Sequence, residues 1–203
     1  MINENYSLRT GSAQVARGDD YGGQLVADSA ARYYNMVKRG NVFFAANSGT
    51  ATISLAGTAM TGLTVHNPAG SGKNIVLLEV CIAIGAIPAA ASLLVLGQAA
   101  VPASTAVTHT SALSIYNALV TGAASSTSVA KADASSTTPS LVVCRVFGGG
   151  TPAASNTITM PPFIKDEVAG ALVFAPGTVF GIATITTALL TSMVSFTWAE
   201  EPI

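Results

Sequence analysis

Charged side chains are scarce in this 203-residue sequence. The chain has 9 Lys and Arg and 10 Asp and Glu, together 9% of its residues, whereas an ordinary globular domain has about 25%. The formal net charge of −1 gives no electrostatic attraction for a phosphate backbone, so we do not expect nucleic-acid binding. A surface poor in Lys and Glu is typical of protein–protein contacts, because interface cores are depleted in these residues.

Cysteine and histidine are equally rare, at two residues each. Cys81 and Cys144 lie in apolar strand-like runs, and the sequence has no CxxC pair. We therefore predict two reduced thiols in the core and no disulfide. His66 and His109 have no neighbour at a ligand spacing, and we predict that they are isolated from each other. A metal site is not expected.

Long helical apolar runs are also missing, although 50% of the residues are hydrophobic. Two uncharged stretches, 83–101 and 169–196, are long enough for a membrane span, but Gly and Pro break both into short segments. We therefore expect no membrane span. The N-terminal MINENYSLRTGSAQ has no apolar segment of the kind found in signal peptides, so maturation in the cytoplasm is expected.

The strongest pattern that is present is an alternation of period two in residues 62–85. Every second residue from Val76 to Ile84 is aliphatic, which indicates a strand lying on a core. Before this strand, residues 67–72 combine Asn, Pro and Gly, which favour turns, and they are too many for a two-residue hairpin. We predict two strands of a β-sandwich joined by a wide connection.

The same connection contains a Gly72-Lys73 pair that looks like the end of a phosphate-binding loop. In the pattern GxxxxGK[ST], the first Gly would fall on Asn67, and the required hydroxyl would fall on Asn74. The residues that follow are strand-like, so no helix N-terminus is available for a phosphate. We therefore predict a Gly-rich turn and no bound nucleotide or other cofactor.

No arrangement of residues indicates an enzyme. The sequence has no GxSxG pattern, and its serines lie in turn-like stretches. Its carboxylate pairs, such as 166–167 and 200–201, are adjacent residues, which point to opposite faces of a strand. We predict that Glu200 and Glu201 end the last strand as solvated charges.

Residues 41–203 read as one all-β domain, a β-sandwich or jelly roll, because short apolar runs alternate with Gly, Pro, Asn and Ser. Segments 121–139 and 148–155, and the segment around Asp166 and Glu167 after Pro161-Pro162, are predicted to be exposed loops. The predicted strands are 41–46, 51–56, 62–67, 74–85, 92–98, 113–120, 140–147, 156–160, 171–175, 178–187 and 191–199.

Residues 1–40 differ from the rest because they carry nearly half of the charges. We predict an extended polar arm with one short helix at 28–39, capped by Asp28 or Ser29 and followed by Gly40. Arg and Tyr often dominate the binding energy at interfaces, so we predict that the arm contacts a partner. The candidate partner-binding residues are Arg9, Arg17, Tyr21, Arg32, Tyr33, Tyr34 and Arg39.

Three segments carry a likeness to a known group of proteins: NPAGSGKNIVLLEV, PPFIKDEVAGALVFAPGTVFGI and SFTWAEEP. In them the chain resembles small β-sandwich virion structural proteins of tailed bacteriophages. The resemblance implies a capsid decoration (cement) protein that is made in the host cytoplasm, resides in the virion and stabilises the head lattice. Its partners would be the major capsid protein or other virion proteins. We expect a closed homo-oligomer, with a trimer preferred.

Two other functions remain open at this point. One is a head-fibre, tail-adaptor or fibre-base subunit of the same kind of particle. The other is a carbohydrate- or receptor-binding module, for which Trp198 and five tyrosines supply aromatic rings. Trp198 lies in an apolar strand, however, so no sugar-stacking platform is evident.

Overall fold

The computed structural model describes the greater part of the chain, in two compact units, Met1–Asn35 and Met36–Ile203. In the first unit, β1 (Asn5–Ser7) pairs with β2 (Ala13–Val15), and β3 (Arg17–Gly18) pairs with β4 (Gln24–Leu25), all antiparallel. The described residues are 5–7, 13–15, 17–18, 24–25, 32–47, 49, 51–53, 59–86, 91–102, 107–120, 127–137, 139–150, 163–185 and 190–203.

Within the segment predicted as an extended arm, the described residues thus include two short strand pairs. Strands of two or three residues are held by backbone hydrogen bonds, which need no alternation of apolar side chains. Helix α1 covers Tyr34–Lys38 and is shorter than the predicted 28–39, since residues 32–33 form a turn. Positions 28–31 lie outside the described residues. The predicted C-terminal Gly40 has φ 76°, and its N–H donates to the Val37 carbonyl at 2.9 Å.

The second unit is a sandwich of two antiparallel sheets, so the predicted fold class is confirmed. The seven-stranded sheet has the order β10–β13–β7–β16–β9–β14, and β11 also pairs with β13. Its strands, in chain order, are β7 (Ala59–Asn67), β9 (Ser92–Ala100), β10 (Thr108–His109), β11 (Ala112–Leu113), β13 (Lys131–Thr137), β14 (Val142–Gly150) and β16 (Thr178–Thr184).

The six-stranded sheet has the order β12–β5–β17–β8–β15, and β6 also pairs with β17. Its strands are β5 (Val42–Ala46), β6 (Ala51–Ile53), β8 (Lys73–Ala86), β12 (Tyr116–Asn117), β15 (Phe163–Phe174) and β17 (Leu190–Pro202). Neighbouring strands are antiparallel in both sheets. A jelly-roll topology stays a prediction.

Aromatic rings join the two sheets at the centre of the sandwich. Phe180 of β16 stacks on Phe174 of β15, with ring centroids 4.0 Å apart, and lies edge-on to Phe196 of β17 at 5.4 Å. Trp198 and Phe43 are buried in the same core. The inner face of β8 agrees with the predicted alternation only in part. Val80 and Ile82 face the core as predicted, but Ile75 and Leu77, which have the other parity, line the core at the start of the strand. The pairing of β8 with β17 shifts register between Leu77 and Glu79, which moves the inward position by one residue.

Residues 68–72 connect one sheet to the other and form the wide turn that was predicted. Gly70 and Gly72 have φ of 81° and 70°, a region that favours Gly. The Asn67 side chain is buried and donates to the carbonyls of Lys73 and Phe174, at 2.9 Å each. Asn67 and Gly72 are therefore structural residues of a turn, and β8 follows directly in place of a helix.

Two segments predicted as loops are strands. Residues 131–137 form β13, which pairs with β7 on one side and with β10 and β11 on the other. Residues 163–170 belong to β15, which continues through a bulge between Glu167 and Leu172. There Ala169 and Gly170 have φ of 53° and 85°. Hydrogen bonds to neighbouring strands stabilise these two segments, although their sequences have few large apolar side chains.

The remaining strand predictions differ mainly at their ends. The predicted strand 113–120 is reduced to the short β11 and β12, and β14 extends through Gly150 into a segment predicted as a loop. The predicted strand 156–160 lies outside the described residues. Within the described segments, no helix has the length and apolar character needed to cross a membrane.

Candidate functional site

The candidate partner-binding residues of the arm are only partly visible. Arg9 and Tyr21 lie outside the described residues, and of Arg17 only the backbone, in β3, is described. The other four follow one another around α1: Arg32 and Tyr33 in the preceding turn, Tyr34 at the first helical position and Arg39 in the turn after it. Their role in binding stays a prediction.

The two histidines are not isolated from each other, which corrects the sequence-based prediction. His66 of β7 and His109 of β10 stack with ring centroids 5.6 Å apart and an angle of 27° between their planes. His109 Nδ1 is hydrogen-bonded to Asp133 Oδ2 of β13, and the Asp133 side chain is 2% exposed. Because β13 lies between β10 and β7, three positions far apart in sequence form one polar cluster.

The environment of His66 keeps its ring neutral. Burial, followed by the nearby His109 and Lys131, lowers the pKa of His66 to about 4, against the opposite effect of Asp133. Neither ring nitrogen of His66, nor Asp133 Oδ1, has a hydrogen-bond partner among the described residues, and all three atoms are buried. A buried polar atom without a hydrogen-bond partner lowers the free energy of unfolding, so this cluster reduces the stability of the fold.

A cavity of about 450 Å³ lies beside this cluster. Its polar wall includes His109, Lys131 and Asp133, and its apolar wall includes Leu113 and Ile115. The chain around it comes from residues 109–115 and 128–133. Among described residues, no group of three or more His, Cys, Asp or Glu is arranged to hold a metal ion.

Glu200 lies near the C-terminal end of β17. The prediction that its side chain is a solvated charge is wrong. Its residue is 1% exposed. Its carboxylate accepts hydrogen bonds from Ser128 Oγ at 2.5 Å and from the Val129 N–H at 3.1 Å, and lies 3.2 Å from Lys73 Nζ. The carboxylate is buried because these donors, from segments distant in sequence, replace its hydration.

The cysteines are free thiols, but neither belongs to the core. Cys144 is exposed on β14, and Cys81 is half-buried on β8. Burial, followed by the hydrogen bond to the Glu79 carboxylate, raises the pKa of the Cys81 thiol, and burial raises that of Cys144. Neither thiol therefore has the lowered pKa that marks a reactive cysteine.

Apolar side chains are exposed at the opposite border of the sandwich. Val142 and Val146 of β14 are each 63% exposed, and Phe163 of β15 is 55% exposed. Strands β14 and β15 end the two sheets on the same side, where Arg145 Nη2 donates to Asp166 Oδ1 at 2.9 Å. Trp198, by contrast, is fully buried and is not available to stack on a sugar.

Sequence reasoning missed the cluster because each member looks ordinary in its own segment. Asp133 lies in KADASST, which lacks large apolar residues, and its partner His109 belongs to another strand. One signal was available: Asp133 is the only acidic residue between Glu79 and Asp166. A lone carboxylate in a weakly charged chain calls for a specific partner.

Comparison with known proteins returned no relationship. No protein-family model, no curated protein and no solved structure matches this chain.

Proposed function

We propose that the chain is a non-enzymatic structural protein of a tailed-bacteriophage virion, a capsid decoration (cement) protein. What supports the proposal is the border formed by β14 and β15, named here the apolar edge and defined by Val142, Val143, Val146 and Phe163. All four side chains are at least 41% exposed. Exposed apolar groups concentrated in one region are typical of surfaces that bind other proteins.

The chemistry of the apolar edge favours side-chain packing over the addition of a strand. Within the described part of the chain, β14 pairs only with β9. An unprotected edge strand invites pairing with another strand, but β14 has bulges between Val143 and Arg145 and between Val146 and Gly148. Bulges twist an edge and interrupt its row of hydrogen-bonding groups. The valines would therefore pack against a partner's apolar surface.

The charge distribution fits such a partner. Arg145 is engaged by Asp166, so the centre of the apolar edge offers no free cation from β14. Burying uncharged side chains avoids the desolvation penalty of buried ions. In a head lattice, the protein would bridge neighbouring capsid subunits and add buried apolar area at about 25 cal/mol per Å².

Binding to heads tests the proposal directly. Heads would be prepared from a phage whose gene for this chain is deleted, mixed with purified protein and sedimented. We expect the wild-type chain to co-sediment at a fixed stoichiometry and the double variant Val142→Ser/Val146→Ser to lose most of its binding. Val120→Ser is a matched control, because Val120 is 77% exposed and lies away from the apolar edge. Wild-type protein that stays in the supernatant would refute the proposal.

Self-association is a second part of the proposal. We propose a closed homo-oligomer, with a trimer preferred, because closed symmetry is the rule among soluble oligomers. Light scattering of the purified chain over a range of concentrations measures it. A constant monomer mass up to the highest concentration would refute the proposed homo-oligomer. Binding to the head lattice would then be tested by sedimentation alone.

The arm is proposed as a second contact. Arg9, Arg17, Arg32 and Arg39 supply the guanidinium groups, and Tyr21, Tyr33 and Tyr34 the aromatic rings. Replacing the four arginines by alanine in the full chain should weaken binding to heads without changing the circular dichroism spectrum. Undiminished binding by this variant would leave the apolar edge as the sole proposed contact.

A further inference from the structure

The segment Thr108–Leu113, named here the flap, is attached to the sandwich by one strand. It comprises β10, β11 and the turn between them, and within the described residues both strands pair only with β13. Thr110 N–H donates to the Ser135 carbonyl at 3.1 Å, and Ala134 N–H donates to the Ser111 carbonyl at 2.8 Å. The flap also forms part of the wall of the cavity beside β13.

Side chains also tie the flap to the sandwich beyond this backbone pairing, since Leu113 packs against the hydrophobic core and His109 contacts two residues of the sheet. His109 of the flap binds the Asp133 carboxylate and stacks on His66, which lies on the next strand, β7. The charged and titratable groups that face His66 are His109 from β10 and Lys131 and Asp133 from β13. The facing residue on β16 is the uncharged Val179. The cluster thus has one carboxylate for three basic side chains.

Protonation of His66 changes this balance at the point where the flap is held. A protonated His66 ring places a positive charge against the face of His109 and near Lys131, and Asp133 is already bonded to His109. Its ring nitrogens are buried and have no hydrogen-bond partner among the described residues, so a charge on the ring is poorly stabilised. Movement of the flap would relieve both problems by admitting water.

We propose that the flap is an acid-released element, with His66 as its proton sensor. Acidification opens Thr108–Leu113 from β13 and exposes Leu113 and Ile115. The inference does not depend on the proposed role in a virion. The lowered pKa of His66 supports it, because a ring held neutral by its surroundings favours an open state once it is protonated.

Two kinds of measurement on the full chain test the proposal. The sequence has only two histidines, so NMR titration resolves both rings, and His66→Phe identifies them by removing one signal. Hydrogen exchange then follows the amides of Thr110 and Ser111, both bonded to the Ser135 carbonyl. Protection factors, corrected for the intrinsic pH dependence of exchange, are compared between neutral pH and the acid side of the His66 titration.

We expect protection at Thr110 and Ser111 to fall about tenfold on acidification, the equivalent of one pKa unit and less than the full shift because His66 is only partly buried. Amides of β8 should keep their protection. His66→Phe preserves a stacking ring but cannot bind a proton, so its flap should stay protected; His66→Gln gives a second, non-aromatic test. Unchanged flap protection in the wild type would overturn the proposal. So would a loss that persists in both variants, or an equal loss in β8.

Discussion

The two borders of the seven-stranded sheet use charged and apolar residues in opposite ways. At the β14 border, valines face solvent and the ion pair Arg145–Asp166 is partly exposed. At the β13 border, Asp133 is buried beneath the flap, and Glu200 is buried nearby. Apolar exposure is relieved by a partner molecule, whereas buried charge must be matched within the chain. The first border is therefore the one that we propose for binding, and the second is expected to be sensitive to substitution and pH.

The largest effect is expected at Glu200. Glu200→Ala removes the acceptor for Ser128 Oγ and for the N–H groups of Val129 and Ala130. We expect a loss of about 3 kcal/mol in the free energy of unfolding, because buried donors are left without partners. Urea denaturation measures it as a lower midpoint with an unchanged m-value.

Glu201→Ala is the matched control, one residue further along β17 and only half-buried. It should change the free energy of unfolding by no more than about 0.5 kcal/mol. If the two substitutions cost the same, the buried carboxylate does not hold the 128–130 segment in place.

The next effect is the pH dependence due to His66. Its folded-state pKa of about 4 lies below the ordinary value of 6.5, so unfolding releases a ring that binds protons more readily. The stabilisation from the neutral ring is therefore complete above about pH 6.5 and is lost as the pH falls toward 4. Since His66 is only partly buried, we expect a loss of about 1 kcal/mol.

His66→Phe isolates this contribution from that of the carboxylates. The free energy of unfolding of wild type and variant should converge or cross between pH 6.5 and 4, measured by urea denaturation at each pH. Parallel curves over this range would show that His66 has the same pKa in the folded and unfolded states.

Much of the sandwich was predictable because its inner faces follow a simple rule. The aliphatic alternation of residues 74–85 predicts β8, and Asn67 and Asn74 correctly distinguish the turn before it from a phosphate-binding loop. Strand β13 was missed because its stability comes from pairing on both sides and not from large apolar side chains. The first part of strand β15 was missed because Asp166 and Glu167, which follow Pro161-Pro162, suggested a loop, although charged residues suit an exposed edge strand.

The candidate site was beyond local sequence reasoning for a related reason. The hydrogen bond between His109 and Asp133 depends on β10 lying beside β13, and the burial of Glu200 depends on the path of residues 128–130. Only the register of the sheets creates these contacts. The rarity of charge nevertheless shows where to look, since each lone acidic residue in the β-domain needs a specific explanation.

A smaller effect is expected at the ion pair of the β14 border. A double-mutant cycle with Arg145→Ala and Asp166→Ala should give a coupling free energy of at most about 1 kcal/mol, since both groups are partly exposed. The cycle for Lys165 and Glu79, which lie on neighbouring strands of one sheet, is the comparison. Equal couplings would mean that joining the two sheets confers no additional stability.

The smallest effect on folding is expected from the valines of the apolar edge. Val142→Ser and Val146→Ser should change the free energy of unfolding by no more than about 0.5 kcal/mol, because both side chains are already in water. The same substitution at Val179, which is 1% exposed, should cost about 3 kcal/mol. A large loss at Val142 or Val146 would show that these side chains serve the fold and would undermine their assignment to binding.

The most direct test of the central claim is cryo-electron microscopy of the intact virion in which we propose that this chain resides. We predict density for a two-sheet sandwich on the particle, with β14 and β15 facing the neighbouring virion protein and the flap facing away. A map that is fully explained without this chain would contradict the proposed function. A sandwich attached through the β10–β13 border would contradict the assignment of the apolar edge as the binding surface.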